Sequence, residues 1–237
     1  MKIVEDTIVG DLVANDYTYS DIFYRHKIDF CCGGGKSIGE VCNSKGWNKT
    51  EIQALLVTLN KHLPHASENL SVKSLSTDEL IAHILNHHHR YIEEQAPIIQ
   101  RYLDKIARVH GERHLELFQI ALLFKKATDN LIPHLKKEEL ILFPNVKQLL
   151  EKADLNADET VRSQFDQVIN DLSDDHTMEG ELFALIAELS NNYTPPADAC
   201  NTYKVAFAKL KEFESDLHRH VHLENNVLFK RIQDLVK

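Results

Sequence analysis

Two copies of one pattern constrain the fold of this 237-residue chain more than any other feature. The segments that start at His134 and at His220 both read H-x-x-x-E-x-x-x-L-F, with Glu138 and Glu224 as their acidic residues. In a helix, residues i and i+4 share one face, so each copy directs an imidazole and a carboxylate the same way. The repeat predicts two helices that present the same pair of groups.

Both pairs are predicted to lie on core-facing stripes, because Ala127 precedes and Ile141 follows the first pair, and Leu217 precedes the second, at helical spacing. A carboxylate in an apolar stripe is costly unless a cation meets it, and two facing carboxylates also repel each other. Two di- or trivalent metal ions would resolve both problems. A single H-x-x-x-E pattern is often a solvent-exposed pair, but the duplication within two apolar stripes favours a dinuclear site.

Four long amphipathic helices are predicted in the larger part of the chain, near residues 77–108, 112–150, 158–191 and 196–235. Ser76 and Glu79 have the S-x-x-E spacing of a capping box at the first helix start. Pro196 suits the first turn of the last helix, and Pro133 is expected to kink the second or shift its hydrogen bonds. Long helices with short connections predict an antiparallel four-helix bundle.

The chain is predicted to have two domains and an all-α fold, because no convincing β-alternation occurs. Residues 1–62 hold short apolar patterns interrupted by glycines, which is typical of a small domain of short helices. Residues 63–76 are rich in Ser and are predicted to be a linker. Residues 77–237 form the predicted bundle.

The other two long helices supply further candidate ligands. His89 lies on an apolar stripe of the first, but His88 also follows one and His87 is adjacent, so periodicity leaves the choice open. On the third helix, His176 lies on the stripe, and Glu179 is close enough in register to be the ligand instead. Seven further histidines are expected to be solvated or to cap helices: His26, His62, His65, His110, His114, His218 and His222. Lys136 and Lys137 are also expected to be solvated.

Four histidines and two bridging glutamates would fill about eight of the roughly twelve coordination positions of two octahedral ions. The rest would accommodate a bridging oxygen and one open position on each metal. Imidazole and carboxylate ligands without thiolate favour iron or manganese over structural zinc. An open position indicates reactivity or the binding of a small ligand.

Cys31 and Cys32 are adjacent and are followed by three glycines and Lys36. A lysine and a nearby helix start, expected at Ser37, would lower the pKa of these thiols and make them better nucleophiles and ligands. Adjacent cysteines do not form a relaxed disulfide. The pair is therefore either two small packed residues or a site of redox chemistry or of transient metal, sulfur or nitrosyl binding. Cys42 and Cys200 lack a companion and are predicted to be packing residues.

Composition excludes several classes of protein. The net charge is −9 and no block of Lys or Arg occurs, which argues against nucleic acid as a partner. The longest apolar run, residues 182–187, is far shorter than the roughly 20 residues that span a bilayer. No secretory signal is recognisable at the N-terminus. Four cysteines in a chain of this length are no disulfide framework, so a cytoplasmic protein without a membrane partner is predicted.

Taken together, these motifs resemble the Repair of Iron Centres family, the di-iron proteins of the YtfE, ScdA and DnrN type. The segment that carries the resemblance in the small domain is D-F-C-C-G-G from Asp29. In the bundle it is H-x-x-x-E-E-x-x-L-F-P from His134 and H-x-x-L-E-N-N-V-L-F from His220. The resemblance spans nearly the whole chain and implies an N-terminal ScdA-like domain before a hemerythrin-like bundle.

The resemblance implies two non-haem iron ions with an oxo bridge. The ligands it implies are His89, His134, Glu138, His176, His220 and Glu224, and it assigns Cys31 and Cys32 to the family's cysteine pair. It implies repair of iron–sulfur proteins damaged by nitrosative or oxidative stress through iron donation, with a homodimer as a plausible assembly. Enzymatic turnover of nitric oxide or peroxide, and oxygen binding or sensing without turnover, remain alternative functions.

Overall fold

The computed structural model describes residues 2–62, 74–151 and 159–236, which divide into two compact units. The N-terminal unit comprises Met1–Leu80 and Val221–Leu235, and the bundle unit comprises Ile81–His220 and Val236–Lys237. Most of the predicted linker, residues 63–73, lies outside the described residues, as does the predicted helix break at 157–158. The described residues are helices and turns with one isolated β-bridge, which confirms the all-α fold.

The N-terminal unit contains four short helices, α1 (Val9–Asn15), α2 (Tyr19–Arg25), α3 (Ile38–Ser44) and α4 (Lys49–Lys61). Two capping boxes set the starts of α3 and α4. In the first, the Glu40 amide donates to the Ser37 hydroxyl and the Ser37 amide donates to the Glu40 carboxylate. Each box satisfies amides that a helix start otherwise leaves unpaired. These elements confirm the predicted small helical domain.

The segment Val221–Leu235 packs within this unit against the turn that carries the cysteines. The Nδ2 of Asn226 donates to the carbonyl of Cys31 at 2.9 Å, and the amide of Gly10 donates to the carbonyl of Gly34 at 2.7 Å. A Cβ atom at Gly10 would overlap the Asn226 side chain. Glycine is required at residue 10 because the backbone approaches that side chain so closely.

The long helices are interrupted by π-helical segments. The α-helical parts are α5 (Thr77–His83), α6 (Arg90–His110), α7 (Glu116–Lys137), α8 (Phe143–Glu151), α9 (Glu159–Leu189), α10 (Asn201–Leu223) and α11 (Phe229–Leu235). The π segments join α5 to α6, α7 to α8 and α10 to α11, and they span Ile84–His89, Glu138–Leu142 and Glu224–Leu228. The predicted capping box is present, because the amides and side chains of Ser76 and Glu79 pair reciprocally.

Aromatic side chains fill the core of the bundle unit between α7, α9 and α10. The ring of Phe213 lies 5.3 Å from that of Phe124 and 5.7 Å from that of Phe183. Leu103 and Ile99 of α6 are fully buried in the same unit. This arrangement confirms the predicted antiparallel four-helix bundle. No helix within the described ranges combines the length and apolar character that a membrane span needs.

Two local predictions differ from the structure. The last long helix begins at Asn201 instead of near residue 196, because two prolines and a turn precede it. Ile141 was expected on the apolar stripe but is 48% exposed. It lies within a π segment, where i→i+5 hydrogen bonds change the face that each following residue occupies. Helix α7 continues through Pro133 to Lys137.

Candidate metal centre

The carboxylate of Glu138 lies between two imidazole rings in the bundle unit. Its Oε2 atom is 3.4 Å from Nε2 of His89, and its Oε1 atom is 3.3 Å from Nε2 of His134. All three side chains are buried, and Glu138 is 0% exposed. A carboxylate whose two oxygens face different imidazoles has the arrangement of a ligand that bridges two metal ions.

His220 and His176 complete two groups that share Glu138. The ligand atoms of His89, Glu138 and His220 lie within 4.8 Å of one another, and so do those of His134, Glu138 and His176. The His89 and His220 ring centroids are 5.0 Å apart, and those of His134 and His176 are 4.7 Å apart. The bundle unit thus brings five of the six predicted ligands together.

Glu224, the sixth predicted ligand, lies on the same continuous helix as His220, one turn later. It is 0% exposed and is the first residue of a π segment, as Glu138 is. His89 is the last residue of the third π segment. Each π segment therefore begins or ends at a predicted ligand, which is a common position for such segments at functional sites.

Carboxylates hold the outer nitrogens of two of these imidazoles. The Nδ1 atom of His89 lies 3.1 Å from Oε1 of Glu139, and Nδ1 of His134 lies 3.3 Å from Oδ2 of Asp175. A carboxylate on Nδ1 fixes the tautomer that leaves Nε2 as the ligating atom. Sequence reasoning missed Glu139 and Asp175, although each adjoins a predicted ligand.

Neighbouring charges and hydrogen bonds shift the pKa values of His134 and Glu139 in opposite directions. Burial alone would lower the pKa of His134, but the hydrogen bond and charge of Glu138 outweigh burial and raise it. Burial would raise the pKa of Glu139, but Lys136 and His89 lower it. Lys136 pairs with Glu139 and with Glu93 at 2.6 Å each, so this lysine is an ion-pair residue rather than only a solvated one.

His88 and Glu179, the alternatives to His89 and His176 as metal ligands, are both buried. The Nδ1 atom of His88 lies 2.9 Å from Asp216, and its ring stacks on that of His220 at 5.9 Å. Within the described part of the chain, neither oxygen of Glu179 has a hydrogen-bond partner. Burial raises the Glu179 pKa to about 7, against the opposing charges of His134 and His176. Neither residue belongs to the two groups around Glu138.

Cys31, Cys32 and Asp29 form a separate group in the N-terminal unit. Their ligand atoms lie within 4.8 Å of one another, and the sulfurs are 3.9 Å apart, far beyond a disulfide bond. Oδ1 of Asp29 accepts the amides of Cys31 and Cys32 at 2.9 Å each. The predicted lowering of pKa is wrong for Cys31: the hydrogen bond to Cys32, burial and the Asp29 charge all raise it.

Two side chains that sequence reasoning missed hold the backbone before this group. The Nδ1 atom of His222 lies 3.3 Å from the carbonyl of Phe30, and Asn226 donates to the carbonyl of Cys31. His222 was expected to be solvated or to cap a helix, but it is 1% exposed and contacts the carbonyl of Phe30. His222 follows His220 by two residues and therefore lies on a different face of the helix. Its contact with Phe30 becomes visible only in the folded chain.

The donor set fits two ions of iron or manganese. Imidazole and carboxylate donors suit these metals, while structural zinc sites use a closed set of four ligands that usually includes thiolates. The clearest observation is the burial of Glu138 between the Nε2 atoms of His89 and His134. The Nδ1 atoms of the same two rings are already engaged by Glu139 and Asp175. Without a cation, such a concentration of buried polar atoms is costly.

Comparisons with known proteins identify the class of protein that this fold and site define. The model of the hemerythrin HHE cation binding domain matches residues 80–232. The model of the ScdA_N domain, described as a domain of unknown function (DUF542), matches residues 5–60. These matches confirm the two predicted types of domain and their order.

Curated relatives match over nearly the full length. The iron-sulfur cluster repair protein ScdA of Staphylococcus haemolyticus is 34% identical over 231 residues, 97% of this chain and 99% of that protein. ScdA of Staphylococcus epidermidis is 32% identical with the same coverage. The iron-sulfur cluster repair protein YtfE of Yersinia pseudotuberculosis is 32% identical over 89% of both chains. The chain belongs to the ScdA and YtfE family, as the resemblance predicted.

Proposed function

We propose that the hemerythrin HHE domain, residues 80–232, holds two non-haem iron ions joined by an oxo bridge. Glu138 and Glu224 are the bridging carboxylates, His89 and His220 serve one iron, and His134 and His176 serve the other. The observation that carries this assignment is the position of Glu138, whose two oxygens face the Nε2 atoms of His89 and His134. The role of Glu224 is supported by its burial and by its spacing from His220, which repeats that of Glu138 from His134.

The protein acts in the cytoplasm to restore iron–sulfur clusters damaged by nitrosative or oxidative stress, by donating iron to the damaged proteins. This function is supported by family membership and by the names of the relatives, which are iron-sulfur cluster repair proteins. When bound, the irons supply both a redox-active pair and a source of metal that can leave.

The chain's own residues hold and release the metal. Asp175 and Glu139 keep His134 and His89 in the tautomer that binds through Nε2. Burial excludes water from the carboxylates and so strengthens their attraction for a cation. The ion pairs of Lys136 with Glu139 and Glu93 lie at half-exposed side chains and fix the Glu139 carboxylate.

Cys31 and Cys32 have a transfer role in the same function, accepting iron, electrons or a nitrosyl group. The role is supported by the group that they form with Asp29, which combines two sulfurs and a carboxylate within 4.8 Å. Soft thiolate ligands suit iron on its way to a cluster. A raised pKa of Cys31 keeps that thiol protonated until a metal or an oxidant displaces the proton.

The test incubates the iron-loaded full chain with an iron–sulfur enzyme whose cluster has been nitrosylated or removed. Reactivation of that enzyme, with iron lost from the chain in equal amount, is the expected result. Nitrous oxide formation from nitric oxide and reductant without reactivation would favour a reductase instead. Reversible oxygen binding alone would favour a carrier.

A double Cys31→Ser, Cys32→Ser variant separates the two parts of the proposal. It should keep about two irons, the number that two bridging carboxylates require, but transfer them more slowly. The matched control is Cys42→Ser, which changes a buried thiol in the same unit. Equal transfer by the double variant would remove the cysteines from the function while leaving the iron site intact.

A further inference from the structure

Cys200 was predicted to be a packing residue because it has no companion cysteine in the sequence, but the structure differs from that prediction. It is exposed, and its Sγ atom lies 3.2 Å from Nε2 of His110 at the end of α6. His110, expected to be solvated or to cap a helix, is the last residue of α6 and only 6% exposed. A nucleophilic sulfur and a base are thus paired in the bundle unit, and none of the predicted metal ligands belongs to this pair.

Cys200 also lies directly before the first residue of a long helix. The carbonyl of Cys200 accepts the amide of Lys204, the first hydrogen bond of the 23-residue helix α10. The backbone amides of Tyr203 and Thr202, that of Tyr203 above all, lower the pKa of the Cys200 thiol against the opposing effect of burial. Amides and the dipole of a helix start stabilise an anion, so this position favours the thiolate.

Apart from its contact with Cys200, the imidazole of His110 is held mainly by packing. Its Nδ1 atom is buried and has no hydrogen-bond partner within the part of the chain that the structure describes. Its ring packs against Tyr203 with centroids 5.5 Å apart. The imidazole is therefore held in place by packing, and its polar contact is directed to the sulfur of Cys200.

The charged groups around the pair do not oppose a thiolate. Asp198, two residues before Cys200, is paired with His114 at 3.0 Å and with Arg113 at 3.0 Å. Arg113 offsets the negative charge of Asp198, and the His114 ring lies between the carboxylates of Asp198 and Glu116. Arg113 is itself largely exposed, so the face that leads to Cys200 includes a cation.

We propose that Cys200 and His110 form a thiolate–imidazole pair that is a site of reversible modification by low-molecular-weight disulfides. His110 Nε2 takes the thiol proton, and the Cys200 thiolate attacks one sulfur of the disulfide. One S–S bond breaks and one forms, so Cys200 is oxidised and half of the disulfide is reduced. The leaving thiolate takes the proton from the His110 imidazolium, which restores the neutral ring.

The first test measures the rate at which iodoacetamide alkylates Cys200 in the full chain between pH 5 and pH 10. Free glutathione in the same tube is the internal reference, and the Cys200 peptide is quantified by mass spectrometry. Each unit of pKa depression raises the thiolate fraction near pH 7 up to tenfold and lowers intrinsic nucleophilicity about threefold. We expect a midpoint below that of glutathione and a rate at pH 7 about two- to threefold higher.

The second test incubates the chain with oxidised glutathione at pH 7. We expect a mixed disulfide at Cys200 that dithiothreitol reverses. His110→Gln should move the alkylation midpoint upwards and slow the exchange several-fold. His26→Gln changes an exposed histidine of the N-terminal unit and should leave the midpoint within error.

The proposal is overturned by a wild-type midpoint equal to or above that of glutathione, a result that needs no substitution. It is also overturned if no mixed disulfide forms at Cys200. A folded His110→Gln variant with an unchanged midpoint would remove the imidazole from the site. Far-ultraviolet circular dichroism of each variant establishes that it is folded before the rates are compared.

Discussion

The Nε2 atom of His134 lies 3.3 Å from Oε1 of Glu138, one turn later on the same helix, and the helix changes from α to π at that glutamate. The four-residue spacing places the carboxylate on the same face as His134, and its other oxygen meets His89 in the core. The paired residues of the first copy of the motif are thus in contact in the folded chain, and the contact is buried.

Replacing Glu138 or Glu224 by Leu should abolish binding of the second iron and leave the bundle folded. A buried carboxylate without its metal is costly, so the metal-free variants should be as stable as the wild type or up to a few kcal/mol more stable. Iron content by elemental analysis and thermal unfolding of the metal-free proteins check this. Glu181→Leu, at an exposed residue of α9, is the control and should keep about two irons. Retention of both irons by Glu138→Leu would remove that residue from the ligand set.

Asp175→Asn should weaken iron binding by about 10- to 100-fold, because Nδ1 of His134 loses the carboxylate that fixes its tautomer. Competition with a chelator of known affinity measures the effect. The neighbouring Asp174 is exposed, so Asp174→Asn is a matched control. Equal affinities of the two variants would contradict an orienting role for Asp175.

Glu179→Gln should retain about two irons, because His176 and not Glu179 is the proposed ligand on α9. In the metal-free protein, the folded-state pKa of Glu179 is raised from 4.5 to about 7. The folded chain then binds more protons than the unfolded chain between these values, so stability falls as pH rises through this window, by about 3 kcal/mol in total at most. Gln does not ionise, so the variant should gain stability over wild type at pH 8 and little at pH 4.5. Denaturant titrations at both pH values test this, and loss of one iron would make Glu179 a ligand.

Asn226→Ala should expose the thiol of Cys31. The variant loses the 2.9 Å hydrogen bond to the Cys31 carbonyl, which is buried, and the cost is about 1–3 kcal/mol. We expect alkylation of Cys31 to become several-fold faster than in wild type, as measured by peptide mass spectrometry. Asn43→Ala changes an exposed amide in the same unit and should not alter the rate. An unchanged rate in Asn226→Ala would show that the turn is held without Asn226.

Much of this fold follows from local rules that act within one helix. The capping box at Ser76 and Glu79 is encoded by four consecutive residues, and the core stripes by the 3.6-residue period. The histidine and glutamate of each repeated motif are four residues apart, so their common face is also a local property. These features were predictable because no distant residue is needed to specify them.

The remainder depends on contacts between distant parts of the chain. The π segments break the 3.6-residue period, so Ile141 is exposed where a uniform α-helix would bury it. The contact of Asn226 with Cys31 joins the two ends of the chain, and no spacing rule reveals it. The pKa of Cys31 is raised by the hydrogen bond to Cys32, by burial and by the charge of Asp29, while proximity in sequence to Lys36 suggested the reverse.

The π segment Glu138–Leu142 requires a fixed number of residues between His134 and Phe143. An α-helix turns by about 100° for each residue, so deleting one residue from this segment would rotate all that follows by that angle. Phe143, which is 2% exposed and lies 5.8 Å from the ring of His89, would leave the core. The same holds after Glu224 and before His89. A substitution at an exposed residue of these segments keeps that length, whereas the insertion or deletion of a single residue changes it.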